Sequence, residues 1–335
     1  MCGIFGYVGA GDDAAGIVLH GLKKLEYRGY DSWGIAVARA GEVVLEKRIG
    51  KIGDAAPELP ASVVGLGHTR WATHGGVTAP NAHPHLDCGG RLAVIHNGII
   101  SNYRELRRPL TGHRFRSETD TEVVAHLLED CLRETPPGPE QLVHATMTVF
   151  RRLEGLNAIA VLDASTGQIA AAKSGSPLVL GWSDGAHMLA SDYSALLEHT
   201  RRVTFVEERQ AVLVSREGSR LFDVDTGREL TPDITEVEWE AAATELCGYP
   251  GHRHPQCRPR AAPRLLPGPA ARPRPRQAAE PRQERHREVK GGGGLAPSRR
   301  GRLSPARVVR YHTHARTRGA VIKRIGKVES KVESK

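Results

Sequence analysis

This 335-residue chain has no long apolar run and no regular cysteine pattern. No stretch approaches the roughly 20 apolar residues that a membrane-spanning helix needs, and the first residues lack the basic and apolar regions of a signal peptide. We therefore expect neither membrane insertion nor secretion. The five cysteines form an odd, scattered set that fits neither a disulfide framework nor paired metal-ligand spacing, which favours a reducing, cytoplasmic location.

Acidic residues are scarce in only one part of the chain. The whole sequence has 47 Lys and Arg against 38 Asp and Glu, a formal net charge of +9. Residues 250–335 hold 23 Lys and Arg against five Glu, which leaves 24 basic and 33 acidic side chains in residues 1–249. The chain is thus an acidic body with a basic tail. Aromatic and β-branched residues are too sparse in the tail to offset its ordering entropy, so the sequence predicts disorder there and gives little reason to expect nucleic-acid binding.

Strand-like patterns outnumber helical ones in the body. Helical periodicity is clearest in Asp13–Leu25, Ser101–Arg108, Thr121–Glu134 and Gln141–Leu153. The turns between consecutive strands are mostly too short for a parallel crossover, and the helices cluster between groups of strands, so we expect an α+β domain with antiparallel sheets. Short apolar or alternating runs predict strands at 3–9, 34–39, 43–48, 63–70, 92–98, 157–163, 168–174, 177–182, 187–191, 203–208 and 211–216.

Cys2 directly follows the initiator methionine. Removal of Met1 would leave Cys2 with a free α-amine beside its thiol. An amine with a pKa of about 7.7–8.0 next to a thiol with a pKa of about 8.5 is matched for proton transfer near neutral pH, so one residue can be both nucleophile and base. The alternative is an ordinary small residue at the start of an edge strand.

A polar loop closed by glycines follows an apolar strand in the segment GHTRWATHGG (67–76). Arg70, at the end of the strand, offers planar, bidentate donors for a carboxylate, and Gly75 with Gly76 would let the loop move as a lid. The alternative interpretation makes Arg70 a surface cation and His74 a solvated loop residue.

The Asn97–Gly98 pair ends another apolar strand. Asn-Gly is a strong signal for a two-residue hairpin turn. A functional alternative is that the Asn97 side-chain amide and the Gly98 backbone N–H form a pair of donors for a developing oxyanion.

A helix-start pattern is present in SETDTEVVAHLL (117–128). Ser117, Thr119 or Asp120 can cap the helix that follows. Asp120 can alternatively provide a carboxylate to a ligand.

Together these segments resemble one family, the glutaminase half of the glutamine:fructose-6-phosphate aminotransferases. The resemblance runs in order and at matching spacing from residue 2 to about residue 249. It implies an N-terminal-nucleophile (Ntn) hydrolase fold over residues 2–245, an αββα sandwich of two antiparallel sheets between helical layers. The segments that carry it are CGIFGYVG (2–9), LEYRGYDSWGIAV (25–37), GHTRWATHG (67–75), NAHPH (81–85), HNGII (96–100), SETDTEV (117–123) and SGSPLV (174–179).

The resemblance also implies an activity and a set of site residues. L-Glutamine would be hydrolysed to glutamate and ammonia through a cysteine thioester, without a metal or an organic cofactor. The opening Cys-Gly is shared with other amidotransferases, whereas EYRGYDS and HTRWATHG favour the sugar-phosphate family. The implied residues are Cys2 as nucleophile, Asn97 with Gly98 as oxyanion hole, Arg70 for the α-carboxylate, Asp120 for the α-ammonium, Trp71, Thr73 and His74 in the closing loop, and Arg28 as a support for the cysteine.

The sequence departs from this family in two respects. Trp33 stands where the family usually has a small residue, so an indole there would crowd the core or force repacking. The family's sugar-isomerase domains have no counterpart in residues 246–335, so we expect the fructose 6-phosphate site to be missing. The Pro- and Arg-rich composition of the tail is what a shifted reading frame of a GC-rich gene would give. The alternatives to a working glutaminase are therefore an inactive truncated or frameshifted product and a protein that binds through its basic tail without catalysis. The sequence does not indicate an oligomeric state.

Overall fold

The computed structural model describes residues 2–237. The predicted tail at 246–335 and the end of the predicted 2–245 domain lie outside the described residues, so both boundaries stay predictions. Within residues 2–237, no helix is long and apolar enough to cross a membrane.

Fifteen strands and four α-helices form within the described residues. The strands are β1 Gly3–Gly9, β2 Ser32–Arg39, β3 Glu42–Ile49, β4 Val64–Arg70, β5 His85–Leu86, β6 Leu92–Gly98, β7 Asn157–Asp163, β8 Gln168–Ser174, β9 Val179–Ser183, β10 Ala186–Ala190, β11 Arg202–Phe205, β12 Gln210–Ser215, β13 Gly218–Asp223, β14 Glu229–Leu230 and β15 Thr235–Glu236. The helices are α1 Ala14–Leu25, α2 Tyr103–Arg107, α3 Glu122–Glu134 and α4 Gln141–Phe150.

The strands form two sheets in which every neighbouring pair is antiparallel. The first sheet has eight strands in the order β15-β11-β9-β10-β1-β4-β2-β3, and the second has seven in the order β14-β13-β12-β8-β7-β6-β5. Long β-hairpins such as β7–β8 account for much of this order, because their turns are too short for any parallel connection.

Three apolar clusters separate four layers. The cluster between the sheets is built from inward-facing residues of both, such as Leu66 and Ile95. A second cluster joins the eight-stranded sheet to α1, and a third joins the seven-stranded sheet to α2, α3 and α4. The predicted α+β sandwich of two antiparallel sheets between helical layers is therefore confirmed.

Helix α1 follows directly from its sequence pattern. Val18, Leu22 and Leu25 recur at helical spacing and are fully buried against the eight-stranded sheet. The Asp13 side chain accepts a hydrogen bond from the backbone N–H of Gly16 at 3.0 Å, which caps the helix.

Helix α3 begins differently from what its sequence predicts. Thr121 occupies the N-cap position and makes no capping hydrogen bond, so the predicted cap by Ser117, Thr119 or Asp120 is wrong. Instead, Glu122 in the first helical turn accepts a hydrogen bond from the backbone N–H of Ser117 at 2.6 Å. Helix α3 is thus hydrogen-bonded to the loop that precedes it. The Asp120 carboxylate does not cap the helix and can contact another segment.

Trp33 is accommodated in the core. Its indole is 1 % exposed in the cluster below α1, and the Arg48 guanidinium lies 5.4 Å from the ring centroid. The buried indole N–H has no hydrogen-bond partner. The large side chain is therefore packed at the cost of one unsatisfied donor.

Candidate active site

Strand ends from both sheets meet at one edge of the sandwich. In the first sheet, antiparallel pairing places Gly3, at the start of β1, opposite Thr69, near the end of β4. The backbone N–H of Gly3 also donates to the Thr69 hydroxyl at 3.1 Å. In the second sheet β6 ends at Asn97 and Gly98, and the Asn97 side chain donates to the Cys2 carbonyl oxygen at 3.0 Å. Cys2 therefore lies where the two sheets meet.

An open pocket of about 260 Å³ lies at this edge. Seven of the nine predicted site residues line it, while Asn97 and Arg28 do not. The lining residues are Cys2, Arg70, Trp71, Thr73, His74, His83, His96, Gly98, Thr119, Asp120 and Thr121.

The Cys2 thiol is held by the backbone of the loop after β4. The Trp71 N–H donates to Cys2 Sγ at 3.2 Å, and Sγ lies 3.7 Å from the Trp71 carbonyl oxygen. Burial raises the pKa of the Cys2 thiol, while the Trp71 N–H and the positive charge of Arg70 act in the opposite direction. The neutral thiol is therefore the resting form at neutral pH, and reaction requires a base.

The RGYDS segment explains how Trp71 is placed. A Cβ at Gly29 would lie 2.7 Å from the Arg70 carbonyl carbon and 2.8 Å from the Trp71 nitrogen, so only glycine permits this approach. The Asp31 carboxylate accepts the N–H of Ala72 at 2.8 Å, and the Asp31 N–H donates to the Arg70 carbonyl. Sequence reasoning gave Asp31 no role, because its partners become neighbours only in the folded sheet.

Asn97 and Gly98 do not form the two-residue hairpin turn that the Asn-Gly sequence also suggested. Both lie within β6 and pair with β7, which is reached only after α2, α3 and α4. The Gly98 φ of +133° requires glycine, and a Cβ would lie 2.2 Å from the Leu156 carbonyl oxygen. The Asn97 side-chain oxygen lies 3.0 Å from His68 Nε2, which leaves the amide NH₂ facing Cys2.

Arg70 and Asp120 are the charged groups of the pocket. Arg70 is 4 % exposed, and its guanidinium donates to the carbonyl oxygens of His74, Gly75 and Gly76. An arginine carries five N–H donors, so these three bonds leave two for a ligand. One oxygen of the Asp120 carboxylate accepts the Ile100 N–H at 2.8 Å, and the other has no such bond.

Trp71, Thr73 and His74 in the loop after Arg70 line the pocket. The Trp71 side chain is 45 % exposed and meets the ring of Tyr30 edge to face at 5.3 Å. His74 packs in the same manner against Tyr103, with the ring centroids 5.8 Å apart. Arg70 holds this loop at the site through hydrogen bonds to the loop carbonyl oxygens. The same guanidinium can therefore contact both the loop and a ligand.

Arg28 lies outside the pocket and acts on Cys2 only indirectly. Its guanidinium donates to the Asp192 carboxylate at 2.8 Å and to the Ser191 carbonyl oxygen at 3.4 Å. Ser191 in turn is bonded to Ile4 through two hydrogen bonds, Ile4 N–H to the Ser191 hydroxyl and Ser191 N–H to the Ile4 carbonyl. Arg28 therefore fixes the strand that carries Cys2.

Four buried histidines at the pocket, of which His83 and His96 line it, were not expected from the sequence. The rings of His68 and His83 stack at 4.3 Å, and those of His83 and His85 meet at 4.8 Å. His96 contacts the Thr121 hydroxyl at 3.0 Å and the Asn157 side-chain oxygen at 2.9 Å. Burial lowers the pKa of all four imidazoles. Two of these histidines are in the NAHPH segment, whose His-rich spacing was the available signal.

Neutral burial of His68 predicts a loss of stability in mild acid. Burial lowers the pKa of His68 from 6.5 to about 3, so below pH 6.5 the unfolded chain binds a proton that the folded chain does not. Between pH 6.5 and 5.5, His68 should therefore contribute a loss of about 1 kcal/mol to the free energy of unfolding. Urea denaturation at both pH values, compared with His68→Gln, checks this. An equal pH dependence in the two proteins would contradict it.

The sequence and the fold of this chain are similar to those of known proteins. A family profile described as a glutamine amidotransferase domain matches residues 68–198. The chain is 46 % identical over 256 residues to the glutamine–fructose-6-phosphate aminotransferase (isomerizing) of Thermus thermophilus, a match that covers 75 % of this chain and 41 % of that protein. The Streptomyces coelicolor protein of the same name is 46 % identical over 257 residues. The match thus spans about two fifths of the length of these relatives.

The structure resembles that of the glutamine phosphoribosylpyrophosphate amidotransferase from B. subtilis. The two share 25 % sequence identity with a TM-score of 0.56, over 67 % of this chain and 50 % of that one. The same sandwich of sheets is thus present in a structure whose sequence is far less similar than those of the aminotransferases.

Proposed function

Because residues 2–237 contain a glutamine amidotransferase domain with the N-terminal-nucleophile fold, related to that of the glutamine–fructose-6-phosphate aminotransferases, we propose that the chain hydrolyses the side-chain amide of L-glutamine. The proposal rests above all on a pocket that is lined by a thiol and by two charged groups of opposite sign, with the Asn97 side-chain amide hydrogen-bonded to the backbone of Cys2. A free amino acid presents a carboxylate and an ammonium group, and this pocket has a partner for each.

Glutamine is proposed to bind between Arg70 and Asp120. An N–H of the Arg70 guanidinium that is not bonded to the loop would donate to the α-carboxylate, and the Asp120 carboxylate would accept from the α-ammonium. Trp71, Thr73 and His74 would close over the bound substrate. The side-chain carboxamide would then lie toward Cys2.

Cys2 is the proposed nucleophile once the residue before it has been removed. Its α-amine would take the thiol proton, because burial disfavours the thiolate and no carboxylate or imidazole is hydrogen-bonded to Sγ. The thiolate would attack the carboxamide carbon. One N–H of the Asn97 amide is bonded to the Cys2 carbonyl, so the second is free to join the Gly98 N–H in stabilising the oxyanion.

Two products are expected from this cycle. The α-ammonium would return its proton to the departing nitrogen, which releases ammonia and leaves a thioester between Cys2 and the glutamyl group. Water, deprotonated by the same amine, would then release glutamate. Each turnover consumes one water and restores the thiol.

The test is an assay with the full 335-residue protein and L-glutamine. We expect glutamate and ammonia in equal amounts, and we expect a diazo-ketone analogue of glutamine to label Cys2. Adding fructose 6-phosphate should change neither the rate nor the products, because the family's sugar-isomerase domains have no counterpart in the sequence of residues 246–335. A protein that is folded, has a free Cys2 amine and releases no glutamate would exclude the proposal. Formation of an amino sugar would show a sugar-phosphate site in the chain.

A further inference from the structure

A second cluster of polar side chains lies outside the glutamine pocket. Cys88 is in the turn between β5 and β6, His113 in the segment between α2 and α3, and His126 and Glu129 on α3. Cys88 Sγ, the Nδ1 atoms of both histidines and one Glu129 carboxylate oxygen lie within 4.8 Å of one another. Four donor atoms from three chain segments thus surround one small space.

The distances between these donors match a tetrahedral metal site. Cys88 Sγ is 3.6 Å from His113 Nδ1 and 3.6 Å from His126 Nδ1. Glu129 Oε2 is 3.1 Å from His113 Nδ1 and 3.5 Å from His126 Nδ1. Zinc bonds of about 2.3 Å to sulfur and 2.0–2.2 Å to nitrogen and oxygen, at tetrahedral angles, require separations of about 3.3–3.6 Å between ligand atoms. Little movement would therefore be needed to admit the ion.

An aspartate and an arginine outside the cluster orient two of its members. His113 Nε2 lies 3.0 Å from the Asp130 carboxylate, a contact that places the N–H on Nε2 and leaves the Nδ1 lone pair for a metal. Arg133 donates to the other oxygen of Glu129 at 2.9 Å and to Asp130 at 2.8 Å. It thereby turns Glu129 Oε2 toward the cluster.

The buried member of the cluster has an incomplete set of hydrogen bonds. His126 is fully buried, and its Nε2 has no hydrogen-bond partner, the Glu122 carboxylate being 3.9 Å away. Its ring packs edge to face against Phe115 at 4.5 Å, which fixes the ring plane and aims Nδ1 at Cys88. A cation at the centre would meet the lone pair of Nδ1, while Nε2 would carry the N–H.

We propose that Cys88, His113, His126 and Glu129 bind one zinc ion. A thiolate and two imidazoles favour zinc over magnesium or calcium, and one thiolate with one carboxylate would neutralise its two positive charges. Binding would release the Cys88 thiol proton to solvent. Since all four positions are filled by protein atoms, the site is structural. The zinc ion would link three parts of the chain: the β5–β6 turn, the segment before α3, and α3 itself. It would thereby stabilise the segment from His113 to Asp120, which reaches the glutamine pocket.

Zinc content and affinity of the full chain test the proposal. After complete metal removal, titration with Zn²⁺ against a chelator of known affinity should show one zinc per chain. Asp130→Asn keeps the size of the side chain and should weaken binding by about 10- to 100-fold, and Cys88→Ser should weaken it further. With Co²⁺, the wild type should show the intense absorption of a tetrahedral thiolate complex, which Cys88→Ser should lack.

Cys131→Ser provides a matched control, because Cys131 is also a partly buried thiol but lies on α3. Its Sγ contacts the Thr135 hydroxyl and the Ala145 carbonyl oxygen. This variant should bind zinc as the wild type does. Absence of stoichiometric binding in the folded wild type, or equal binding in Cys88→Ser, would overturn the proposal and leave an ion-paired His113 between two carboxylates. These measurements require no glutamine turnover, so their outcome is independent of the proposed glutaminase.

Discussion

Replacing Cys2 by alanine should abolish glutamate release, with kcat falling by about 10⁴-fold or more. Cys2 is the thiol that lines the pocket, and without it no thioester can form. Steady-state kinetics with glutamate detection measures the loss. Cys131→Ala is the control, since this thiol is on α3 outside the pocket and should leave kcat unchanged. Turnover by Cys2→Ala at the wild-type rate would show that another group attacks glutamine.

The same prediction has a second arm that concerns the α-amine. If the residue before Cys2 is retained, the α-nitrogen becomes an amide and cannot accept a proton at neutral pH. Because burial raises the pKa of the thiol, the loss of this base should be nearly as damaging as the loss of the thiol. Mass spectrometry establishes whether the N-terminus is free. Full activity in a protein shown to retain Met1 would contradict the role of the amine.

Removal of either charged group of the pocket is expected to impair glutamine use strongly. Arg70→Ala and Asp120→Ala should each cost about 2–5 kcal/mol of transition-state stabilisation, a fall in kcat/KM of about 30- to 5,000-fold. The physical reason is that the partner charge of the substrate would enter the pocket without a counter-ion. Measuring kcat/KM for glutamine in both variants tests this.

Asp120→Asn separates the binding role from a structural one. The asparagine oxygen can still accept the Ile100 N–H, so the thermal stability should stay close to that of the wild type. The negative charge is lost, so kcat/KM should still fall. If Asp120 only fixes the backbone after β6, the opposite pattern is expected, with kinetics preserved in Asp120→Asn and a lower melting temperature in Asp120→Ala. That pattern would remove Asp120 from the substrate site.

Hydrophobic periodicity in the sequence was enough to predict most of the fold. Every strand and helix predicted in the body is present, because the strands are short apolar or alternating runs and the helices have apolar residues at helical spacing. The short strands β5, β14 and β15 and the polar strand β13, Gly218–Asp223, were missed. Two residues are too few for a pattern, and four of the six residues of β13 are only partly buried, so neither leaves a periodic signal.

The candidate site was predictable where a single residue type carries the chemistry. Cys2, Arg70 and Asp120 were identified from type, position and resemblance, and the structure brings all three to one pocket. What their neighbours do was decided only by the fold. Asp31 reaches the N–H of Ala72, and Asp120 reaches Ile100 instead of capping its own helix, since both contacts cross between segments far apart in the chain.

The proposed zinc site is the clearest example of contacts that the sequence does not predict. Cys88, His113, His126 and Glu129 extend over three segments of the chain, and neither their spacing nor the scattered cysteines resembles a metal-binding motif. Their donor atoms meet because the β5–β6 turn and the loop before α3 pack on the same helix face. The sequence by itself determined which segments become strands and helices, because the spacing of apolar residues along the chain is a local property. Only the tertiary structure decided which polar side chains became partners, because that depends on distances between segments that no local pattern encodes.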